Sequence, residues 1–136
     1  MQNGQNTLSP ETGNSARILI AEDHFDSREA LRMLLAAFGF EVVEAINGRE
    51  AVERALEAAP NLILMDVMMP EMDGFEAIRV LRDNEETREI PIIAVTALDG
   101  AHDVALNAGA DDYVRKPVDI RILIGLVNGW LQREAL

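Results

Sequence analysis

Five short, nearly continuous apolar runs, each followed by a longer amphipathic stretch, constrain this chain more than any other feature of its sequence. The runs are Arg17–Ala21 (RILIA), Phe40–Glu44, Asn61–Met65 (NLILM), Ile90–Val95 (IPIIAV) and the pair Tyr113–Val114. Runs this short, bounded by acids, glycine and proline, read as strands buried on both faces. Between them, Ala30, Leu31, Leu34, Leu35 and Phe38 recur at helical spacing from Asp26 onward, until Gly39 stops the pattern. Asn47 can cap a helix over Gly48–Ala59, with Pro60 beyond its end. Phe75, Ile78 and Leu81 mark one face of a third helix, Asp103–Ala108 a short fourth closed by Gly109, and Val118–Gln132 the last. Parallel strands need crossover connections, so five β-then-α units predict an α/β fold: a parallel sheet with helices on both faces.

Such a sheet needs a core, and the chain can supply one. It has 136 residues, and the first sixteen are polar, with glycine and proline but no basic start or apolar run. That stretch reads as a flexible tail, not a signal peptide, leaving 120 residues for a single domain over 17–133. No stretch of about 18 apolar residues is present, so no membrane insertion is expected. Twelve Lys and Arg stand against twenty-four Asp and Glu, a net charge of −12 that argues against binding nucleic acid. The absence of cysteine removes disulfides, thiol nucleophiles and Cys-ligated zinc, and suits a cytoplasmic protein.

In a parallel α/β sheet, ligands bind outside the carboxyl ends of the strands. Those ends carry Glu22 and Asp23 after the first strand, Asp66 after the third, Thr96 after the fourth and Lys116 after the fifth. Three carboxylates on one rim repel each other, which raises a pKa or recruits a cation. A site of oxygen donors alone suits Mg²⁺. With a metal, a lysine and a threonine hydroxyl beside it, a carboxylate makes a reasonable phosphoryl acceptor, and Asp66, ending the central strand, is the best placed. His24, next to the acidic pair, is read as facing solvent, and the methionines at 65, 68, 69 and 72 as packing.

The motifs ILIAED (18–23), LMDVMMPEMDG (64–74), PIIAVTA (91–97) and AGADDYVRKP (108–117) occur in this order, each at the end of a strand. Together they make residues 17–132 closely resemble the receiver domain of two-component response regulators. The resemblance implies a flavodoxin-like, doubly wound sheet of strand order 2-1-3-4-5. It further implies phosphorylation at Asp66, Mg²⁺ held by Asp23, by Glu22 through water and by the backbone carbonyl of Met68, and a phosphoryl group held by Lys116. Thr96 and Tyr113 would be the switching pair, and Lys116–Pro117 follows a pattern in which a cis peptide is expected. The implied phosphodonor is a histidine kinase or histidine phosphotransfer protein.

The sequence departs from the family pattern in three places. Glu22 stands where Asp is also common, and its longer side chain still reaches a metal-bound water. Thr96 and Lys116 are 20 positions apart, closer than in many receivers, which predicts a short or late fourth helix. Two residues beyond Asp66 and Thr96 stand Met68 and Leu98, neither able to orient an attacking water, so the phosphoaspartate should hydrolyse slowly. Met68 also occupies the place where phosphatases of the haloacid dehalogenase type carry a second Asp, so no turnover enzyme is expected.

On the last helix, Ile120, Leu123, Ile124, Val127 and Leu131 form a stripe expected to face the sheet. Ile122, Leu126 and Trp130 form a second row, read either as packing against the fourth helix or as an exposed patch for a homodimer or a downstream protein. The chain ends soon after this helix, which leads to the expectation of a single-domain receiver signalling through protein contacts. The alternatives are a degenerate receiver, or one excised from a larger kinase or regulator and serving as an interaction module.

Overall fold

Strands that are apolar on both faces need cover on both, and the chain supplies it by sending its helices to both sides of the sheet. The computed structural model describes residues 16–69, 72–97 and 101–135. In chain order these form β1 (Arg17–Ala21), α1 (Phe25–Ala37), β2 (Glu41–Ala45), α2 (Gly48–Ala58), β3 (Leu62–Asp66), α3 (Gly74–Asp83), β4 (Ile92–Thr96), α4 (Ala101–Ala108), β5 (Asp112–Arg115) and α5 (Ile120–Ala135). The sheet is parallel, in the order β2-β1-β3-β4-β5. The expected doubly wound arrangement is therefore observed.

Side chains alternate along each strand and build two cores. Leu19, Ile63, Met65, Ile92 and Ala94 pack with Ala51, Ala55, Ala77, Ile78, Leu81, Ala105 and Ala108, so α2, α3 and α4 cover one face. Ile18, Ile20, Leu62, Leu64, Ile93 and Val95 pack with Leu35, Leu123, Ile124 and Val127, so α1 and α5 cover the other. The first core is closed largely by alanines on its helices, which brings those helices close to the sheet.

Element ends differ from the sequence reading for local reasons. Helix α1 starts at Phe25 because the His24 ring caps it, its Nδ1 accepting from the Ser27 N–H at 3.4 Å. Strand β4 starts at Ile92, since Pro91 has no N–H to give to a ladder. Helix α5 starts at Ile120 because Asp119 Oδ1 accepts from the Arg121 and Ile122 N–H groups. Of the residues assigned to the tail, Ala16 belongs to the fold: it packs on the α1–α5 core and its carbonyl accepts from Glu41 N–H. The rest of that segment lies outside the described residues.

Two expectations for α5 are corrected. Ile120 does not face the sheet but is 49% exposed, because the first turn of the helix projects past the strand ends beside α1. In the second row only Ile122 is open, at 56%. Leu126 and Trp130 are half-buried against the α1–α5 core, and the Trp130 indole donates to Asp112 Oδ2 at 3.0 Å while the Arg133 guanidinium covers its ring. The row is partly covered by the edge of the sheet. At eight residues α4 is the shortest of the helices, as the close spacing of Thr96 and Lys116 predicts. Among the described residues no helix is long and apolar enough to cross a membrane.

Candidate functional site

The strand register brings the rim residues together. Ala21 pairs with Met65, and Asp66 with Val95, so Glu22, Asp66 and Thr96 leave the sheet at one level. Lys116 joins them through its backbone N–H, which donates to the Thr96 carbonyl at 2.8 Å. The connection after Asp66 is held down by α3. A Cβ at Gly74 would lie 2.4 Å from the Asp66 carbonyl oxygen and 2.5 Å from Val67 Cα, so only glycine lets the helix start this close to the strand end.

The side chains then form one hydrogen-bonded group. Lys116 Nζ donates to Glu22 Oε1 at 2.9 Å and to Asp66 Oδ2 at 3.1 Å. Asp66 Oδ1 accepts from the Met68 N–H at 3.0 Å. Glu22 Oε2 accepts from the His24 N–H at 3.0 Å, and the Glu22 carbonyl accepts from Arg28 Nη1 at 3.0 Å. Glu22 and Asp66 are only 2% and 5% exposed and Thr96 is fully buried, whereas Asp23 is open to solvent. The Lys116–Pro117 peptide is cis.

Burial raises the pKa of Asp66 and outweighs the Met68 N–H bond that favours the carboxylate; the negative charge of Glu22 adds to the rise, against Lys116. Burial also works against the Lys116 ammonium, but its bonds to Glu22 and Asp66 and their charges prevail and raise its pKa. The crowding of anions foreseen from the strand ends thus falls on Asp66, and the lysine answers part of it.

Carboxylate oxygens of Glu22, Asp23 and Asp66 lie within 4.8 Å of one another. Three hard oxygen donors at that separation, one of them solvent-facing, fit a small divalent cation that keeps part of its water shell. The group opens into a cleft of about 350 Å³, whose walls include Met68, Ala97 and Lys116 besides the three acids. Met68, 55% exposed, presents an apolar wall beside Asp66. Leu98, named with it in the sequence, lies outside the described residues. Tyr113 is not part of the cleft: it is half-buried on β5, stacked on His102. Ile122, Leu126 and Trp130, on α5, do not line it either.

Sequence reasoning missed the supporting groups. Arg28 and the His24 N–H fix Glu22, yet nothing in their type or spacing announces it. Arg82 makes a larger brace, donating to the carbonyls of Gly109, Arg88 and Ile90 and to Asp111 Oδ2. Gly109 permits this with a left-handed φ of 121°, and a Cβ there would meet the Arg82 side chain at 2.7 Å.

Comparison with known proteins agrees with this geometry. The response regulator receiver domain model matches residues 18–128. The chain is 43% identical over 116 residues to the response regulator PleD of Caulobacter vibrioides, covering 84% of this chain but only 26% of that protein, about a quarter of its length. It is 36% identical to the polar-differentiation response regulator DivK of Brucella anthropi, covering 84% of this chain and 94% of that one. Among solved structures, the receiver domain of the Pseudomonas aeruginosa sensor histidine kinase PA1611, with a magnesium ion in its active-site cleft, aligns with a TM-score of 0.82 and 33% identity, covering 87% and 98% of the two chains. The Saccharomyces cerevisiae co-crystal of the histidine phosphotransfer protein Ypd1 with the receiver domain of Ssk1 aligns with a TM-score of 0.83 and 30% identity, covering 90% and 92%. With the parallel 2-1-3-4-5 sheet and the acidic rim in place, this chain belongs to the response regulator receiver domain family.

Proposed function

We propose that this chain is a phosphorylation-switched receiver, acting in the cytoplasm, that takes a phosphoryl group onto Asp66 from a phosphohistidine of a histidine kinase or histidine phosphotransfer protein. The observation that carries this reading is the divided hydrogen bonding of the Asp66 carboxylate, with the Met68 N–H on one oxygen and Lys116 on the other. That arrangement fixes the plane of the nucleophile and sets a cation beside it.

In the proposed transfer an Asp66 oxygen attacks phosphorus as the bond from phosphorus to the imidazole nitrogen breaks, and the nitrogen leaves with the electron pair. Lys116, already charged and within reach of Asp66, neutralises a phosphoryl oxygen. The Thr96 hydroxyl, at the end of β4, supplies a hydrogen bond to another. Glu22, Asp23, Asp66 and the Met68 carbonyl would hold Mg²⁺, which offsets the charge that gathers on the phosphoryl oxygens when it is bound. Because Met68 stands where a general acid would be needed, the chain is a phosphoryl acceptor with slow self-hydrolysis and not a turnover phosphatase.

The donor also needs a place to dock. An apolar groove of about 370 Å³ runs between Ala30, Leu31 and Leu34 of α1 and Pro117, Val118 and Ile120, and it shares Glu22 and Lys116 with the acidic cleft. A phosphodonor seated there would present its histidine toward Asp66, and the yeast co-crystal holds a histidine phosphotransfer protein together with a receiver domain.

Intact-mass analysis after incubation with acetyl phosphate tests the reading. A single phosphoryl adduct that needs Mg²⁺ and is missing from Asp66→Asn supports it. No adduct from acetyl phosphate or from a phosphohistidine donor overturns it and leaves an interaction module.

A further inference from the structure

Tyr113 does not stand alone on its strand. Its ring lies 5.0 Å from that of His102, with an angle of 25° between the planes, which is a stacked pair. The two residues come from different elements. Tyr113 is on β5, opposite Ala94, and Arg115 is opposite Thr96. Residues two apart on a strand share a face, so Tyr113 and Thr96 lie on the same face of adjacent strands. Ala94 on that face packs with Ala105 of α4. His102 is in the first turn of α4, only six positions beyond Thr96, so a short connection joins the end of β4 to the ring that holds the tyrosine.

We infer that His102 is a positioning residue that latches Tyr113 toward the surface and thereby sets the threshold of the switch. The inference rests on the phosphoacceptor reading proposed above and on the switching pair of Thr96 and Tyr113 that the family resemblance implies, with Tyr113 following Thr96 inward as Thr96 engages a phosphoryl group at Asp66. His102 is exposed and Thr96 is fully buried. In the latch, the Tyr113 ring leaves the exposed His102 as it turns toward the buried Thr96. An aromatic pair of this kind shifts an equilibrium by about 2- to 10-fold, enough to set the basal activity of a two-state protein without abolishing its response. The same contact ties the first turn of α4 to β5, so releasing the tyrosine also frees that turn.

Two substitutions separate the latch from a simple packing role. His102→Ala removes the ring, and His102→Phe keeps a stacking ring while removing both nitrogens. The readouts are the ring resonances of Tyr113, the only tyrosine in the chain, recorded with and without beryllofluoride and Mg²⁺, and the rate of phosphorylation by acetyl phosphate. The latch predicts that His102→Ala shifts the Tyr113 resonances toward their beryllofluoride-bound position without any ligand. It also predicts phosphorylation about 2- to 10-fold faster, with His102→Phe restored to wild-type behaviour in both. Folded variants that match wild type in both readouts overturn the latch, as does a His102→Phe variant that behaves like His102→Ala. Wild type that takes no phosphoryl group and shows no beryllofluoride shift overturns instead the phosphoacceptor reading beneath it.

Discussion

Asp66 is held between burial, which favours its protonated form, and a lysine and a backbone N–H, which favour its charge; burial and the nearby Glu22 prevail. The consequence for stability has a definite sign. A carboxyl whose folded pKa is raised binds its proton more readily in the native than in the unfolded chain. Stability from this group is therefore greatest below the ordinary value of 3.8 and falls as pH rises through the raised one. Asn at this position keeps one acceptor oxygen, which can still take the Met68 N–H, and carries no charge, while Lys116 keeps its bond to Glu22. In metal-free buffer at pH 7, Asp66→Asn should melt above wild type, by on the order of 1 kcal/mol or a few degrees. In melts repeated towards pH 3 the difference should vanish; a variant that melts lower at pH 7 would contradict the balance drawn here. Met68 belongs to the same scale. One oriented hydrogen bond to water is worth about 1 kcal/mol, so Met68→Asn should shorten the phosphoaspartate lifetime about fivefold, read by loss of the adduct after desalting.

The elements show what the sequence made legible. All five strands and all five helices can be read from the sequence pattern. Strands β1, β3 and β4 stand out most because central strands buried on both faces leave little room for polar residues, whereas the edge strands β2 and β5 admit acids and are marked by shorter apolar runs. The rim residues are legible for a related reason. A parallel sheet sends every strand's carboxyl end to one edge, so Glu22, Asp66, Thr96 and Lys116 must converge. The brace around Arg82 could not be read, since its partners are loop carbonyls and an aspartate 29 positions away. The burial of Trp130 escaped for the same reason: its partner, Asp112, lies 18 positions back, on β5. Ile120 was misplaced because helical periodicity gives the direction of a side chain, not where the sheet ends. The brace carries its own prediction. Arg82→Met keeps the alkyl packing but leaves the Gly109 and Ile90 carbonyls without this donor, and should cost about 2–3 kcal/mol in urea unfolding with an unchanged m value. Asp111→Asn, which can still accept from Ile92 N–H, should cost less, about 1 kcal/mol. Equal losses would show that the ion pair and not the carbonyl contacts carries the brace.

The whole molecule is a net −12 chain that gathers three carboxylates at one edge of its sheet. Binding to the native state alone stabilises it by linkage, about 2.7 kcal/mol at a concentration a hundred times the Kd. Mg²⁺ should therefore raise the melting temperature of wild type in a saturable way. Asp23→Asn should lose most of that rise and, by relieving repulsion at the rim, melt no lower than wild type without metal. An unchanged response to Mg²⁺ would place the cation elsewhere on the acidic surface. The central claim is that the charge that throws the switch is covalently attached at Asp66, and one experiment addresses it most directly. The chain is treated with acetyl phosphate and Mg²⁺, reduced with borohydride to convert any aspartyl phosphate to homoserine, digested and mapped by mass spectrometry. Homoserine at position 66 alone, and only when Mg²⁺ is present, is the predicted result; an unmodified Asp66, or reduction at Asp23 or another carboxylate, would contradict it.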